Sequence, residues 1–499
     1  MPESPVAVDW LARRAQLAPD RVALIDAESG RRFTYGDWNR RADTVARFLS
    51  VALGVRKGDR VAVLSQNRLE YLDVFFACGK IGAVLQSLNW RLAPPELERI
   101  VEHAAPVALL HDDDLAERAR SLEVKARRVP LAALADLPPA SPPPTPTLVH
   151  DDPWVISYTG GSTGSPKGVV LTHGTITWNA VNTAASWGLG QDDTAILDAP
   201  LFHTGGLNVF TTPLVHVGGT SILCRRFDPG RVLELLQASD VTVYFGVPTM
   251  FVLLQEHPAF AAADLSRLRL LIGGGAPAPP RLFERFFAKG VPFRMGYGLT
   301  EAGPNNFWLP PSLAWTKPGA VGFPLLHVEV RLVDQSGAIV DQAERVGELC
   351  LRGPHVTPGY FRDPDATAAV LSPDGWLRTG DLACRDRDGC YTIVGRSKDM
   401  FISGGENVYP AEVEGALASH PGVVEAAVIG IPDQVWGEVG QAVVVLRRGF
   451  RADPADLQAH LRARLASYKI PKRIVFVDDL PRTAAGKIDR RLIGDRLGV

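Results

Sequence analysis

Short apolar runs that stop at turn residues recur along most of this chain. They fall at 60–65, 107–110, 194–197, 220–223, 241–245 and 268–272, with helix-like stretches such as 95–102 and 281–288 between them. A strand that faces solvent on one side alternates polar and apolar residues, whereas a strand covered on both sides reads as a continuous apolar run. The pattern therefore predicts an α/β fold with largely parallel sheets sandwiched by helices. A chain of 499 residues, 46% of them hydrophobic, exceeds what a single core holds, so two or more domains are expected.

Two features divide the chain. Residues 137–147 carry Pro138, Pro139, Pro142, Pro143, Pro144 and Pro146. Such a stretch is stiff and lacks ladder donors, so it reads as a linker between subdomains. After residue 395 the pattern becomes a compact alternation: a helix at 410–417, strands at 424–429 and 442–446, a helix at 454–465 and a strand at 473–477. The expected organisation is a large N-terminal domain of layered sheets and helices over 1–395, a hinge at 396–398 and a small mobile α+β C-terminal domain over 399–499. The formal net charge of −2 supplies no basic footprint for nucleic acid, so a small-molecule partner is expected. Five cysteines without a C-x-x-C pair argue against a disulfide framework and against a zinc site. The N-terminal residues lack the apolar core of a signal peptide and no apolar run is long enough to span a bilayer, so a cytoplasmic protein without an integral membrane segment is expected.

The segment from Tyr158 to Gly168 (Tyr-Thr-Gly-Gly-Ser-Thr-Gly-Ser-Pro-Lys-Gly) follows the apolar run Trp154-Val155-Ile156. Glycines let backbone N–H groups close around an anion, while Ser162, Thr163 and Ser165 add donors and Lys167 adds a full charge. The composition suits phosphate. It is not a Walker A loop, because Pro166 and Gly168 flank Lys167 where that motif has Gly before the lysine and Ser or Thr after it.

Six further segments follow in order: Leu201-Phe202-His203-Thr204-Gly205-Gly206, Gly296-Tyr297-Gly298-Leu299-Thr300-Glu301, Trp376-Leu377-Arg378-Thr379-Gly380-Asp381, Gly395-Arg396-Ser397-Lys398-Asp399, Ser403-Gly404-Gly405-Glu406-Asn407 and Pro481-Arg482-Thr483-Ala484-Ala485-Gly486-Lys487. With the glycine-rich loop they resemble the motif series of the adenylate-forming superfamily, which comprises acyl-CoA synthetases, luciferases and peptide-synthetase adenylation domains. The resemblance covers nearly the whole chain and points to the acyl-CoA ligase branch. It implies ATP, Mg2+ and coenzyme A, and two half-reactions: a carboxylate attacks the α-phosphate of ATP to give an acyl adenylate and pyrophosphate, and a thiol then displaces AMP. It leaves a homodimer open.

The resemblance also implies roles. Thr159, Gly160, Gly161, Ser162, Thr163, Gly164 and Lys167 correspond to the phosphate cradle, and Glu301, with Thr163, to the magnesium-binding oxygens next to Thr300. A hard cation that keeps waters and takes substrate phosphates needs few protein ligands. Gly275, Ala276 and Pro277 would lend backbone groups to adenine at a strand end. Gly296, Tyr297 and Gly298 would pack against the base, with Gly298 leaving the ring open. Asp381 corresponds to the acceptor of both ribose hydroxyls, and Arg396 to an arginine reaching ribose or phosphate. Lys487 corresponds to the lysine that offsets repulsion between the attacking carboxylate and the α-phosphate. Lys398 matches the hinge, and Ser403, Gly404, Gly405, Glu406 and Asn407 match a loop that lines the pantetheine path after the swing.

The substrate is narrowed by an absence. Where peptide-synthetase domains place an aspartate for the amino group, the stretch 202–208 has no acid. The expected acyl pocket, from His203, Leu207, Gly296, Gly298, Gly303 and Pro304, is small and apolar, which suits an aliphatic or aromatic carboxylic acid. His203 reads equally as pocket wall, substrate contact or satisfied core residue. The stretches 273–277 and 403–412 also resemble o-succinylbenzoate-CoA ligases, and a carrier-protein thiol offers the same acceptor chemistry as CoA.

Overall fold

The structure, a computed structural model, describes residues 4–144, 146–159, 166–238, 240–403, 406–483 and 487–497. Two sheets carry the N-terminal body. One runs in the order Arg127–Pro130, Ala108–His111, Arg60–Leu64, Val84–Leu88, Pro153–Thr159, Lys167–Thr172, all parallel except the last strand, which returns antiparallel. The other runs Phe293–Met295, Leu270–Gly273, Val243–Gly246, Thr194–Leu197, Thr220–Leu223, Val22–Asp26, Arg32–Thr34, again parallel except for its last member.

The apolar runs are these strands, and they are apolar because helices cover both faces: Val61, Ala62, Val63 and Leu64 are all fully buried. The helix Leu69–Ile81 is buried around nearly its whole circumference and stops at Gly82, whose φ of +71° costs a glycine nothing. Leu24, Val61, Leu72, Ile176 and Leu223, drawn from both sheets and the helices between them, belong to one core cluster.

Two expectations are corrected. The proline-rich stretch does not divide subdomains, since the strands on either side of it, Arg127–Pro130 and Pro153–Thr159, belong to the same sheet. It is an outer connection whose missing N–H groups are tolerated because no strand pairs with it. The α/β alternation also ends before residue 395: Glu329–Val333, Val346–Arg352, Leu377–Arg385 and Tyr391–Arg396 form a four-stranded, wholly antiparallel sheet. Its strands mix buried and half-exposed positions and so lack the continuous apolar signal.

The C-terminal unit pairs Glu406–Val408, Phe401–Ser403, Gly437–Leu446 and Val423–Asp433, with Arg473–Val477 added parallel to Gly437–Leu446. The helices Pro410–Ala418 and Pro454–Arg462 cover this sheet around a core of its own that includes Phe401, Val413, Leu417, Val428, Val444, Leu457 and Leu461. No helix among the described residues is long and apolar enough to cross a membrane.

Candidate active site

The phosphate-loop residues straddle a hairpin. Thr159 ends the strand Pro153–Thr159, Lys167 opens Lys167–Thr172, and the two pair directly. Gly160, Gly161, Ser162, Thr163, Gly164 and Ser165 lie outside the described residues. A cavity of about 380 Å³ lined by Arg99, His103, Tyr158, Lys167, Phe361 and Arg362 adjoins this hairpin. None of the residues expected to form the acyl pocket lines it.

Glu301 sits in the single turn Thr300–Ala302. Its carbonyl accepts from the Thr357 N–H at 2.7 Å, and its Oε1 accepts from the Tyr360 hydroxyl at 2.9 Å. The Lys167 ammonium lies over the ring of the same tyrosine, 5.1 Å from its centroid. Tyr360 is thus a site residue that sequence reading missed, since a lone tyrosine after Gly359 carries no periodic or spacing signal.

A second group is built on two buried residues, Tyr297 and Asp381, and an exposed arginine, Arg396. Tyr297, 9% exposed, donates its hydroxyl to Asp381 Oδ2 at 2.7 Å, and Arg396 Nε lies 3.0 Å from Asp381 Oδ1. The two residues sit opposite each other in neighbouring strands, Asp381 in Leu377–Arg385 and Arg396 in Tyr391–Arg396. Burial, followed by the adjacent Asp381 charge, holds the Tyr297 hydroxyl well above the usual phenol range. Each carboxylate oxygen still has an acceptor site to spare, which leaves Asp381 competent toward ribose hydroxyls. Gly298 has a reason other than access to the ring: a Cβ there would lie 2.2 Å from the Pro304 carbonyl, so the backbone approach itself demands glycine. Gly275, at φ +82°, turns the chain after the strand Leu270–Gly273 into Ala276 and Pro277.

The ring of Phe245, near the end of the strand Val243–Gly246, has a glycine close to each edge. A Cβ added at Gly274 would be 3.2 Å from that ring and one at Gly205 3.4 Å. This aromatic wall was also missed, because the sequence places Phe245 far from either glycine. His203 precedes the short helix Thr204–Asn208 and packs against Phe202 with centroids 4.4 Å apart. Burial, then the positive charges of Arg91 and Lys487, lowers its pKa to about 4, so the imidazole is neutral near pH 7.

Lys487 links the two domains. Part of its surface reaches solvent, yet enough protein surrounds the ammonium that desolvation lowers its pKa. The Arg396 charge pushes in the same direction, while Asp381 and Glu301 oppose it. One lysine of the C-terminal domain therefore senses both carboxylates of the nucleotide side. Its loop is closed by a 2.7 Å bond from the Thr483 N–H to the Lys487 carbonyl, and Arg490 anchors it to Glu414 at 2.6 and 2.8 Å and to Asp399 at 3.5 Å. Lys398 lies in the turn that follows Arg396, where the Asp399 N–H donates to the Arg396 carbonyl at 3.1 Å. Ser403 pairs with Glu406 and Ile402 with Asn407 in a tight hairpin, while Gly404 and Gly405 lie outside the described residues.

Comparison with known proteins identifies the family. The profile of AMP-binding enzymes matches residues 11–361, and that of the AMP-binding enzyme C-terminal domain matches 412–487. A feruloyl-CoA synthase of Amycolatopsis sp is 45% identical over 490 residues, covering 98% of each chain. An indoleacetate–CoA ligase of Aromatoleum aromaticum is 37% identical over 494 residues, covering 96% of each. The o-succinylbenzoate CoA synthetase of Bacillus subtilis, solved with its acyl-adenylate intermediate, superposes with a TM-score of 0.88 at 34% identity over 97% of each chain. The same synthetase has also been solved with ATP and a magnesium ion. The chain belongs to the AMP-binding enzymes, on their acyl-CoA ligase branch.

Proposed function

We propose that this protein is an ATP-dependent CoA ligase for an aryl-bearing carboxylic acid. The acid's carboxylate attacks the α-phosphate of ATP and pyrophosphate leaves; the CoA thiol then attacks the acyl carbon of the adenylate and AMP leaves. The observation that carries the reading is the joining of Tyr297, Asp381 and Arg396 at 2.7 and 3.0 Å into one group suited to hold a nucleotide, with Lys487 of the C-terminal domain near enough to feel the Asp381 and Glu301 charges. Two anions must approach for the first step, and a preorganised ammonium offsets their repulsion. In-line displacement at phosphorus otherwise asks mainly for positioning.

The residues present fit a magnesium ion. Glu301 offers a hard carboxylate with one oxygen held by Tyr360, and Thr163 would add a hydroxyl. When bound, the ion supplies charge neutralisation at the phosphates. Asp381 orients the ribose and Tyr297 fixes Asp381, while Lys167 faces the phosphates. After adenylation, rotation at Lys398 would withdraw Lys487 and bring the loop of Ser403, Glu406 and Asn407 to the site. Reaction with ATP and CoA fits the cytoplasm.

The aryl preference rests on relatives named for feruloyl and indoleacetate substrates, and Phe245, with a glycine near each edge of its ring, offers an aromatic surface for such a group. A neutral His203 and the absence of an acid in 202–208 leave nothing there to pair an ammonium. Pyrophosphate and AMP release over ferulate, indoleacetate, 2-succinylbenzoate, octanoate and phenylalanine, each with and without CoA, tests this. The expected result is AMP and pyrophosphate with CoA-dependent turnover and the highest kcat/KM for an aryl acid. ADP as product would overturn the reaction class, a preference for phenylalanine the pocket, and turnover only with a carrier protein the acceptor.

A further inference from the structure

Tyr360 stands between two opposite charges. Its hydroxyl donates to Glu301 Oε1 at 2.9 Å, and its ring carries the Lys167 ammonium 5.1 Å from the centroid. Neither Lys167 nor Glu301 makes an ion pair with another of the described residues. A lysine and a glutamate that share one aromatic neighbour can pair directly once nothing stands between them. That pair would neutralise both groups and fill the space between them.

The tyrosine gives each charge a weaker, non-neutralising partner. The ring face attracts the ammonium through its quadrupole but leaves its charge and its three N–H donors available. The hydroxyl occupies one lone pair of Glu301 and leaves the second oxygen to other ligands. The backbone holds the ring rigidly in place. The Phe361 N–H donates to the Gly168 carbonyl at 2.7 Å and the Val170 N–H to the Gly359 carbonyl at 3.1 Å, locking Tyr360 beside the strand that starts at Lys167. Thr357 completes the clamp: its N–H donates to the Glu301 carbonyl at 2.7 Å and its hydroxyl to the Val170 carbonyl at 2.6 Å. One short segment, 357–361, therefore sets the spacing between the phosphate-loop strand and the turn bearing Glu301.

We propose that Tyr360 is a positioning residue that keeps Lys167 and Glu301 apart and aimed, preventing the ion pair that would close the phosphate and metal site before MgATP enters. The inference rests on the reading of Lys167 and Glu301 as nucleotide-handling groups.

Calorimetric titration with ATP, in EDTA and in Mg2+, separates the two interactions. Tyr360→Phe keeps the ring and loses the hydroxyl; ATP binding in EDTA should stay at the wild-type value, while the Mg2+ concentration for half-maximal ATP binding rises about tenfold, the scale of a hydrogen bond to a charged group. Tyr360→Leu removes the ring as well, so Lys167 and Glu301 pair and ATP binding weakens about tenfold even in EDTA. Adding Glu301→Gln to Tyr360→Leu should restore that binding in EDTA, because a neutral amide cannot hold the ammonium, an outcome that a merely structural role for Tyr360 would not produce. Unchanged Mg2+ dependence in Tyr360→Phe, or no recovery in the double variant, overturns the proposal. If the leucine variant does not fold, the phenylalanine variant decides alone. Wild-type protein that binds no ATP would instead overturn the functional reading itself.

Discussion

The two sides of this active site are held by different means. On the nucleotide side, Tyr297 and Asp381 are buried and joined by a short hydrogen bond, and Gly298 lies so close to Pro304 that no side chain fits between them. On the other side, Lys487 is exposed, and the residues that flank it are fastened to its own domain by the ion pairs of Arg482 with Glu425 and of Arg490 with Glu414 and Asp399. Every one of those anchors lies within the C-terminal domain. On the proposed mechanism, the body would hold the adenylate in fixed geometry while Lys487 moved with the C-terminal domain. That reading would put recognition where packing forbids movement, and the charge needed for only one half-reaction on the domain expected to move.

The sharpest break of this contrast is Lys487→Ala. It should slow adenylate formation by about two to three orders of magnitude, the scale for removing one preorganised stabiliser of developing charge. Thioester formation from preformed acyl adenylate and CoA should stay near the wild-type rate, because the lysine would have left the site by then. Single-turnover assays of pyrophosphate and thioester measure both steps on one preparation. Equal damage to both would mean that Lys487 does not withdraw, and the contrast between fixed and mobile halves would fail.

Gly298→Ala probes the fixed half. A methyl group 2.2 Å from the Pro304 carbonyl must displace backbone rather than a flexible side chain, so the cost should reach the upper part of the range of about 1–3 kcal/mol typical of overpacking. The urea midpoint should fall and ATP affinity should fall with it, since Tyr297 is the neighbouring residue. Lys487→Ala should leave the midpoint unchanged. A Gly298→Ala protein with wild-type stability and weak ATP binding would show that the glycine serves the ligand rather than the packing.

What could be read beforehand divides along similar lines. The buried parallel strands are legible because burial on both faces forces continuous apolar runs, whereas residues such as Arg396 and Lys398 stand out only through the resemblance of their segment to a known motif series. Contacts between distant, chemically ordinary residues are not legible. Nothing in the sequence connects Phe245 to Gly205 and Gly274, or Tyr360 to Lys167 and Glu301, since only the crossing of the strands brings them together. Gly298 was recognised as a required glycine, but the requirement comes from Pro304, a contact that the fold supplies. The antiparallel sheet ending in Arg396 escaped because half-exposed strands with polar positions resemble loops.

The smallest expected effect concerns acid. His173 stacks on Trp154 with centroids 4.6 Å apart, and burial lowers its pKa from 6.5 to about 4. A histidine whose folded pKa is depressed binds its proton more readily in the unfolded chain, so its contribution is intact above 6.5 and drains away as pH falls from there toward 4. Asp73 and Asp198, raised to about 7 by burial, act in the opposite sense: the folded protein keeps their protons longer, which favours it as pH falls through the same range. His203 and His355, also lowered to about 4 by burial, act with His173, so the three histidines and the two aspartates largely offset each other and a substitution is needed to expose His173. His173→Phe retains a ring for Trp154 to stack on and removes the titration, so between pH 7.5 and about pH 5.5 the variant should lose about 1 kcal/mol less than wild type. Urea midpoints at the two pH values measure the difference. A variant that tracks wild type at both would mean that His173 gains its proton within the fold, and that the body yields at this position more readily than its packing against Trp154 implies.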